Sequence, residues 1–304
     1  MSLIVTGTIG IDDVQTPTGA VDAVPGGSCT YFAAAASRLT PTRVVAVVGD
    51  DWPDDHRTAL EAFDGIDLAG LEVRQGSATF RWGGRYMENM NDRETLFTEL
   101  GVLEESPPTV PAAFADSQFV FLANTHPAVQ KGLLSQFPRR QLAVADTMDL
   151  WINIARDDLT ALLADLDGVV LNDAEAAMLT KHTNCVDAAH AILDMGPTFA
   201  VVKKGEHGAV LVHRDGVAAL PACPLRGDQV IDPTGCGDSF AGGMMAHVAR
   251  TGATDFATLQ AAIAWGTVIA SFTIESFGLD GIAACTPEQL HERMAAFKST
   301  VHVE

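Results

Sequence analysis

The chain has 304 residues, 47% of them hydrophobic, which is enough for one large α/β domain with a smaller appendage or for two medium domains. Its 19 basic and 39 acidic residues give a net charge of −20, which argues against nucleic acid as a partner and requires any anion site to be local. The 5 cysteines are scattered, odd in number and form no C-x-x-C pair, and the 9 histidines show no zinc-like spacing, which argues against a disulfide framework and a zinc site. No charged-then-apolar leader and no apolar run of membrane-spanning length stands out, so a cytoplasmic protein without membrane contact is expected.

In chain order, residues 3–7 read as a buried strand closed by Gly7. The stretch 9–25 is polar and turn-rich and holds Asp12 and Asp13. Gly26 and Gly27 then precede an Ala-rich helix predicted over 31–39. A second buried strand, 43–48, ends at Gly49, and a helix is predicted over 54–63. Strand, glycine turn and helix in that order predict parallel βαβ units. Between about 76 and 103 the pattern changes to alternating polar and apolar residues at 79–82 and 95–100, around a polar segment at 88–93. That alternation predicts an inserted hairpin or small sheet with one covered face.

Regular α/β alternation then resumes with strands at 119–123, 142–146, 169–172 and 199–205. Asn124, Asp146, Asn172 and Lys204 fall at their carboxyl ends, where open parallel sheets bind ligands. An edge hairpin is predicted from 209–213 and 217–220, and helices from about 239 and 257 and over 287–297 close the chain.

The stretch 230–243 carries the most chemistry. Gly235 and Gly237 directly precede Asp238, after which Phe240, Met244 and Val248 recur every four residues as one face of a helix. The first turn of a helix has N–H groups without partners, and glycines let another molecule's oxygens approach them. An anion-accepting concavity at a helix N-terminus is therefore predicted. Capping alone accounts for many Gly-x-Gly-Asp sequences. A carboxylate at the rim of an anion hole makes further sense if it takes a proton from a hydroxyl that attacks phosphorus.

The longer string Asp232-x-Thr234-Gly235-x-Gly237-Asp238 resembles the signature of the ribokinase-like, or PfkB, family of carbohydrate kinases. Further marks follow in the family's order: Gly26-Gly27 with Ala33 to Ala36, Val48-Gly49-Asp50-Asp51, Asn172-x-x-Glu175, Gly205-x-x-Gly208, and the region from Ala270-Ser271 to Gly278. The resemblance covers nearly the whole chain. It implies a single α/β kinase domain over 1–304, a three-layer sandwich with a mostly parallel central sheet. Segments 9–25 and 76–103 would contribute a small β lid, and lids of this kind often pair two subunits into a homodimer. The implied activity is transfer of the ATP γ-phosphoryl group to a hydroxyl of a sugar or sugar-like substrate, with Mg2+ and, in some members, K+.

Residue by residue, the resemblance implies Asp238 as general base and the N–H groups of Gly235, Cys236 and Gly237 as the anion hole. Asn172, Lys204, Gly205, Gly208, Thr234 and Ser271 would surround ATP. Asp12, Gly26, Gly27, Tyr31, Arg81 and Asn124 would surround the acceptor, with Arg85 and Asn89 near it on the lid. Glu175 would hold Mg2+ through water, helped by Asn172, and Asp232 with Thr234 would belong to a monovalent-cation site. Tyr31 stands where many such sugar kinases carry Asn, and Gly10 where ribokinase-like members often carry Asn, which points away from ribose itself. A nucleoside kinase on the same fold is the nearest alternative, with Tyr31 and Trp82 available to stack on a base. A non-catalytic sugar-binding protein would need a lost base or anion hole, yet Asp238, Gly235 and Gly237 are present. A dinucleotide oxidoreductase is disfavoured because the first strand leads into Gly7-Thr8-Ile9-Gly10, without a Gly-x-Gly-x-x-Gly fingerprint. Cys236 replaces the family's usual Ala, and a thiol at a helix N-terminus is expected to have a lowered pKa.

Overall fold

A computed structural model describes residues 1–301. The strands are β1 (Leu3–Thr6), β2 (Gly10–Thr16), β3 (Gly19–Gly26), β4 (Thr42–Gly49), β5 (Ile66–Arg74), β6 (Phe80–Tyr86), β7 (Arg93–Glu99), β8 (Phe119–Leu122), β9 (Leu142–Asp146), β10 (Gly168–Asn172), β11 (Phe199–Lys203), β12 (Ala209–His213) and β13 (Gly216–Leu220). The helices are α1 (Ser28–Ser37), α2 (Asp54–Glu61), α3 (Pro127–Leu134), α4 (Asp149–Ile154), α5 (Arg156–Leu163), α6 (Asp173–Thr180), α7 (Cys185–Leu193), α8 (Cys236–Thr251), α9 (Phe256–Thr273), α10 (Asp280–Ala284) and α11 (Pro287–Val301).

Nine strands form the large sheet in the order β13-β12-β11-β10-β9-β8-β1-β4-β5. From β5 to β11 every neighbouring pair is parallel, and β12 is antiparallel to both β11 and β13. Strand alternation divides the core into two layers. Leu3 and Val5 of β1, Phe119 and Phe121 of β8, and Phe199 and Val201 of β11 pack with α1, α8 and α9. Their sequence neighbours Ile4, Val120, Leu122, Ala200 and Val202 pack with α3, α5 and α7 on the opposite face. Both faces are covered, so these strands read as continuous apolar runs. Strand addition runs outward from β1 through β4 in one direction and from β8 in the other, which opens a crevice beyond the carboxyl ends of β1 and β8.

The small sheet has the order β3-β2-β6-β7, with β2 parallel to β6 and the other two pairs antiparallel. The polar stretch expected near 9–25 is thus two strands of a hairpin, with a register shift between Asp12 and Val14. Edge strand β5 was not foreseen; its burial is mixed and Gly70 interrupts its apolar residues.

α9 corrects one expectation. It is an 18-residue helix with mean hydropathy 1.3, long and apolar enough to cross a membrane by composition, yet 61% of it is buried inside the protein. Its apolar length is accounted for by packing on α8, α10, α11, β12 and β13. α8 packs closely on both α1 and α9, and glycines make this possible. A Cβ on Gly242 would lie 2.4 Å from the Phe32 carbonyl oxygen of α1, and one on Gly266 would lie 2.5 Å from the Phe240 carbonyl oxygen of α8. Gly132 in α3, by contrast, has open space where its Cβ would be. We expect Gly242→Ala to cost about 1–3 kcal/mol through overpacking. Gly132→Ala should be neutral or gain up to about 1 kcal/mol from helix propensity. Urea unfolding midpoints of the two variants check this, and equal midpoints would contradict it.

Candidate active site

The anion hole is built by the turn entering α8. Gly235 caps the helix with φ 73°, a left-handed conformation that glycine adopts without strain. A Cβ there would also lie 2.2 Å from the Tyr31 ring. The Cys236 N–H donates to the Pro233 carbonyl at 3.2 Å, so it is occupied by the turn. Among the described residues, the N–H groups of Gly235 and Gly237 have no such partner and remain available to an anion.

Asp238 lies in the first turn of α8 and is only partly exposed. Its carboxyl is pushed up to about 6, chiefly by desolvation and also by the Glu175 charge, against the opposing pull of Lys203 and Arg93. It is therefore mostly ionised at neutral pH and placed to accept a proton beside the free N–H groups. Lys203, at the end of β11, extends to this point: its Nζ lies 2.8 Å from where a Cβ would sit on Gly237. Asp146, at the end of β9, is buried with Oδ1 unpartnered, and burial together with the Asp238 charge raises its pKa well above normal.

Asn172 and Glu175 cap α6. The Asn172 side chain accepts from the Glu175 N–H at 2.8 Å, and Glu175 Oε2 accepts from the Asn172 N–H at 2.8 Å. The Asn172 Oδ1 is thereby engaged by the helix. Glu175 is buried and its pKa is raised by desolvation against the pull of Lys203. Among the described residues no three His, Cys, Asp or Glu side chains are close enough to hold a metal by themselves. A divalent ion here would need water and phosphate oxygens as further ligands, which suits Mg2+.

On the small sheet, Asp12 is buried, its Oδ1 has no partner, and its Cγ lies 2.1 Å from where a Cβ would sit on Gly26. Gly26 thus gives the carboxyl its space. Desolvation pushes the Asp12 pKa up to about 8; a Gly27 backbone hydrogen bond opposes this, while the charges of Asp238, Asp232 and Asp13 add to it. Gly27 caps α1 with φ 91°, where a Cβ would lie 2.6 Å from the Thr8 carbonyl oxygen. Tyr31 is only 1% exposed, with its ring against the Gly235 turn and its hydroxyl unpartnered. It therefore offers no open face for stacking. Asn124 accepts from Trp151 Nε1 at 2.8 Å and its amide points to Met148 Sδ, so it fixes α4 against the end of β8. Arg81 lies 4.0 Å from Asp13 on the small sheet.

The lid reaches across the cleft. Thr234 Oγ1 donates to the Tyr86 hydroxyl at 3.5 Å, and Asn91 at the hairpin tip has Oδ1 2.7 Å from where a Cβ would sit on Gly205. Arg93, directly opposite Tyr86 in the register, lies with its guanidinium 5.5 Å from the Trp82 ring centroid.

Toward the far end of β11, Lys204 turns away from Asp238, with Nζ 3.3 Å from Cys185 Sγ and 3.7 Å from Asp173. Gly205 and Gly208 form the turn after β11 with φ 53° and 91°. Ser271 is buried, donates to the Val268 carbonyl at 2.7 Å and accepts from Arg293 at 3.0 Å. Beside it a cavity of about 340 Å3 is lined by Cys223, Leu225, Gln229, Arg293 and Phe297, away from the converging carboxylates. Asp232 is buried; Oδ1 accepts from the Thr234 N–H at 2.8 Å and Oδ2 has no partner. The Cys236 expectation is corrected. Its thiol faces the carbonyls of Asp232 and Ala270 at 3.9 and 3.8 Å, and burial, with the charges of Asp232 and Asp238, raises its pKa well above normal. Desolvation and like charge outweigh the helix dipole.

Sequence reasoning missed Lys203, Tyr86 and Arg93. For Lys203 a signal existed: it shares strand parity with Phe199 and Val201, the residues that face α8. For the lid residues none existed, because their reach depends on how the small sheet docks.

Comparison with known proteins matches this architecture. The profile of the pfkB family carbohydrate kinases matches residues 12–284. The cytidine kinase of Thermococcus kodakarensis is 28% identical over 256 residues, covering 82% of this chain and 89% of that protein. The nucleoside kinase of Methanocaldococcus jannaschii superposes with a TM-score of 0.77 at 20% identity, over 97% of this chain and 99% of that one. A candidate ribokinase II of E. coli, in complex with ATP and Mg2+, superposes with a TM-score of 0.77 at 18% identity, over 97% of this chain and 100% of that one.

Asp12 supplies a stability test. Its pKa in the folded protein, about 8, lies above the ordinary 3.8, so folding retains a proton that the unfolded chain releases as pH rises between those values. Stability should therefore fall across that window and level off above it. Asp12→Asn should be more stable than the parent at pH 8 by an amount on the order of 2–4 kcal/mol, and the difference should vanish near pH 4. Thermal unfolding across pH checks this; a pH-independent difference would contradict it.

Proposed function

The chain belongs to the pfkB family of carbohydrate kinases, and on that premise we propose that its acceptor is a nucleoside, phosphorylated on a hydroxyl of its sugar. The observation that carries the acceptor is the likeness to a cytidine kinase along most of both chains. This favours the alternative named from sequence over a free sugar. The buried, unpartnered Asp12 carboxyl beside Gly26 supports it, since such a group is suited to hydrogen-bond the hydroxyls of an enclosed ribose. The base would lie under the lid near Trp82 and Arg93.

The chemistry follows from the site. Asp238 takes the proton of the acceptor hydroxyl as its oxygen bonds to the γ-phosphorus. The bond from that phosphorus to the bridging oxygen breaks, and ADP leaves. The free N–H groups of Gly235 and Gly237, with the positive end of α8, stabilise charge on the equatorial oxygens. Glu175 and Asp146 are the candidates to hold Mg2+ through water, and when bound the ion neutralises charge on the phosphates. The adenine of ATP is assigned to the cavity beside Ser271 and Arg293. The unpartnered Asp232 Oδ2 fits a monovalent cation such as K+, which would satisfy a buried charge.

The test is ADP production with MgATP across nucleosides and free sugars, with Asp238→Asn beside the parent. Nucleosides should exceed sugars in kcat/KM by at least about 10², because a pocket built for a base leaves groups unpaired when the base is missing. Asp238→Asn should lower kcat by about 10²–10⁴. Turnover of sugars without nucleosides would overturn the acceptor assignment.

A further inference from the structure

The Gly237 N–H is free for an anion, and one ammonium group lies against the same residue. Lys203 is the last residue of β11, and it pairs with Asn172 of β10, so its side chain emerges among the carboxyl ends of the parallel strands. Its parity matches Phe199 and Val201, which directs it toward α8. Gly237 lacks the side chain that would collide with it. Yet among the described residues Lys203 Nζ makes no ion pair within 4.0 Å, whereas neighbouring Lys204 is paired with Asp173. Three carboxyls surround Lys203 at longer range: Asp146, Glu175 and Asp238. Asp146 Oδ1 is buried and makes no hydrogen bond to another protein group.

We propose that Lys203 is a catalytic residue, whose ammonium contacts the transferred phosphoryl group beside the Gly237 N–H. This deepens the phosphotransfer reading and does not depend on which acceptor is used. The chain carries 5 lysines in a net charge of −20, so a phosphate entering among three carboxyls needs a local cation. An ammonium serves as a point charge that follows the phosphoryl from ATP to acceptor. Lys203 gains and loses no bond; the acceptor O–H bond breaks as its proton goes to Asp238, and the other bonds changed are those at phosphorus. A purely structural Lys203 would instead serve to neutralise Asp146 and Glu175.

Full-length Lys203→Met and Lys203→Arg would be assayed with MgATP and the acceptor that the parent turns over fastest. Lys203→Met should lose about 10²–10³ in kcat while both KM values change by no more than about threefold, as expected for a contact strengthened in the transition state. Lys203→Arg should recover part of the rate, and an alkylammonium ion such as propylammonium should restore turnover to a Lys203→Ala variant in proportion to its concentration. Loss of rate without rescue by either, or a kcat within about threefold of the parent, overturns the proposal.

A second measurement needs neither variant folding nor an acceptor. In 15N-labelled parent protein, one of the 5 lysine ammonium resonances should shift on adding ADP, Mg2+ and aluminium fluoride, relative to ADP and Mg2+ alone. Assignment to Lys203 comes from its absence in Lys203→Arg or, if neither variant folds, from side-chain correlations linking its Nζ to the Lys203 backbone amide, which selective labelling of Val202-Lys203 identifies. An unchanged Lys203 resonance overturns the proposal. A shift in a protein that phosphorylates no nucleoside sinks the acceptor assignment and leaves Lys203 in its role.

Discussion

The N-terminus of α8 must be held still, because the free N–H groups of Gly235 and Gly237 and the Asp238 carboxyl act at one point in space. Two helix contacts fix it. α1 approaches at Gly242 and α9 at Gly266, closely enough that a methyl group on either would meet a backbone oxygen. A hydrogen bond of 2.8 Å between fully buried Ser239 and Thr273 joins α8 to α9 one residue after Asp238. Close packing of this kind transmits small displacements, so a change deep in the helix layer should reach the site. The same turn is braced by the Tyr31 ring, which lies 2.2 Å from where a Cβ would sit on Gly235.

Electrostatic cost is concentrated around this point. Asp12, Asp146, Glu175 and Asp238 all have raised pKa values, each chiefly because burial disfavours the charged form. Such a cluster is poorly suited to stability and well suited to chemistry that brings in a cation, a phosphate and a hydroxyl. Lys203 and Arg93 approach from opposite walls, one from β11 and one from the lid strand β7, and both draw the Asp238 pKa down. Docking of Tyr86 on Thr234 and of Asn91 on Gly205 brings the lid over the turn before α8 and the turn after β11. Water exclusion by that lid would strengthen every charge interaction beneath it.

Much of this was legible in the chain. The apolar runs at 119–123, 142–146 and 169–172 became central strands because both faces of the sheet are covered, and Asp238 was marked by the glycines before it. Local pattern was less informative where side chains choose between neighbours. Lys203 and Lys204 are adjacent and chemically identical, and only strand parity separates the one facing α8 from the one paired with Asp173. Asn172 and Ser271 fit a ligand-binding pattern, and the sequence does not show that Asn172 Oδ1 also caps α6 or that the Ser271 hydroxyl also meets Arg293. The Cys236 thiol was misjudged because a helix dipole is visible in sequence, whereas two nearby carboxylates and burial are not.

The central claim is that phosphoryl transfer takes place at the start of α8, between Asp238 and the free N–H groups. A crystal structure of the Asp238→Asn protein with MgATP and its best acceptor tests this most directly. The account predicts the γ-phosphate within hydrogen-bond reach of the Gly237 N–H, and one acceptor hydroxyl beside the side chain at position 238, in line with the bond to be broken. A γ-phosphate bound elsewhere, or an acceptor hydroxyl with no line to it from position 238, would contradict it.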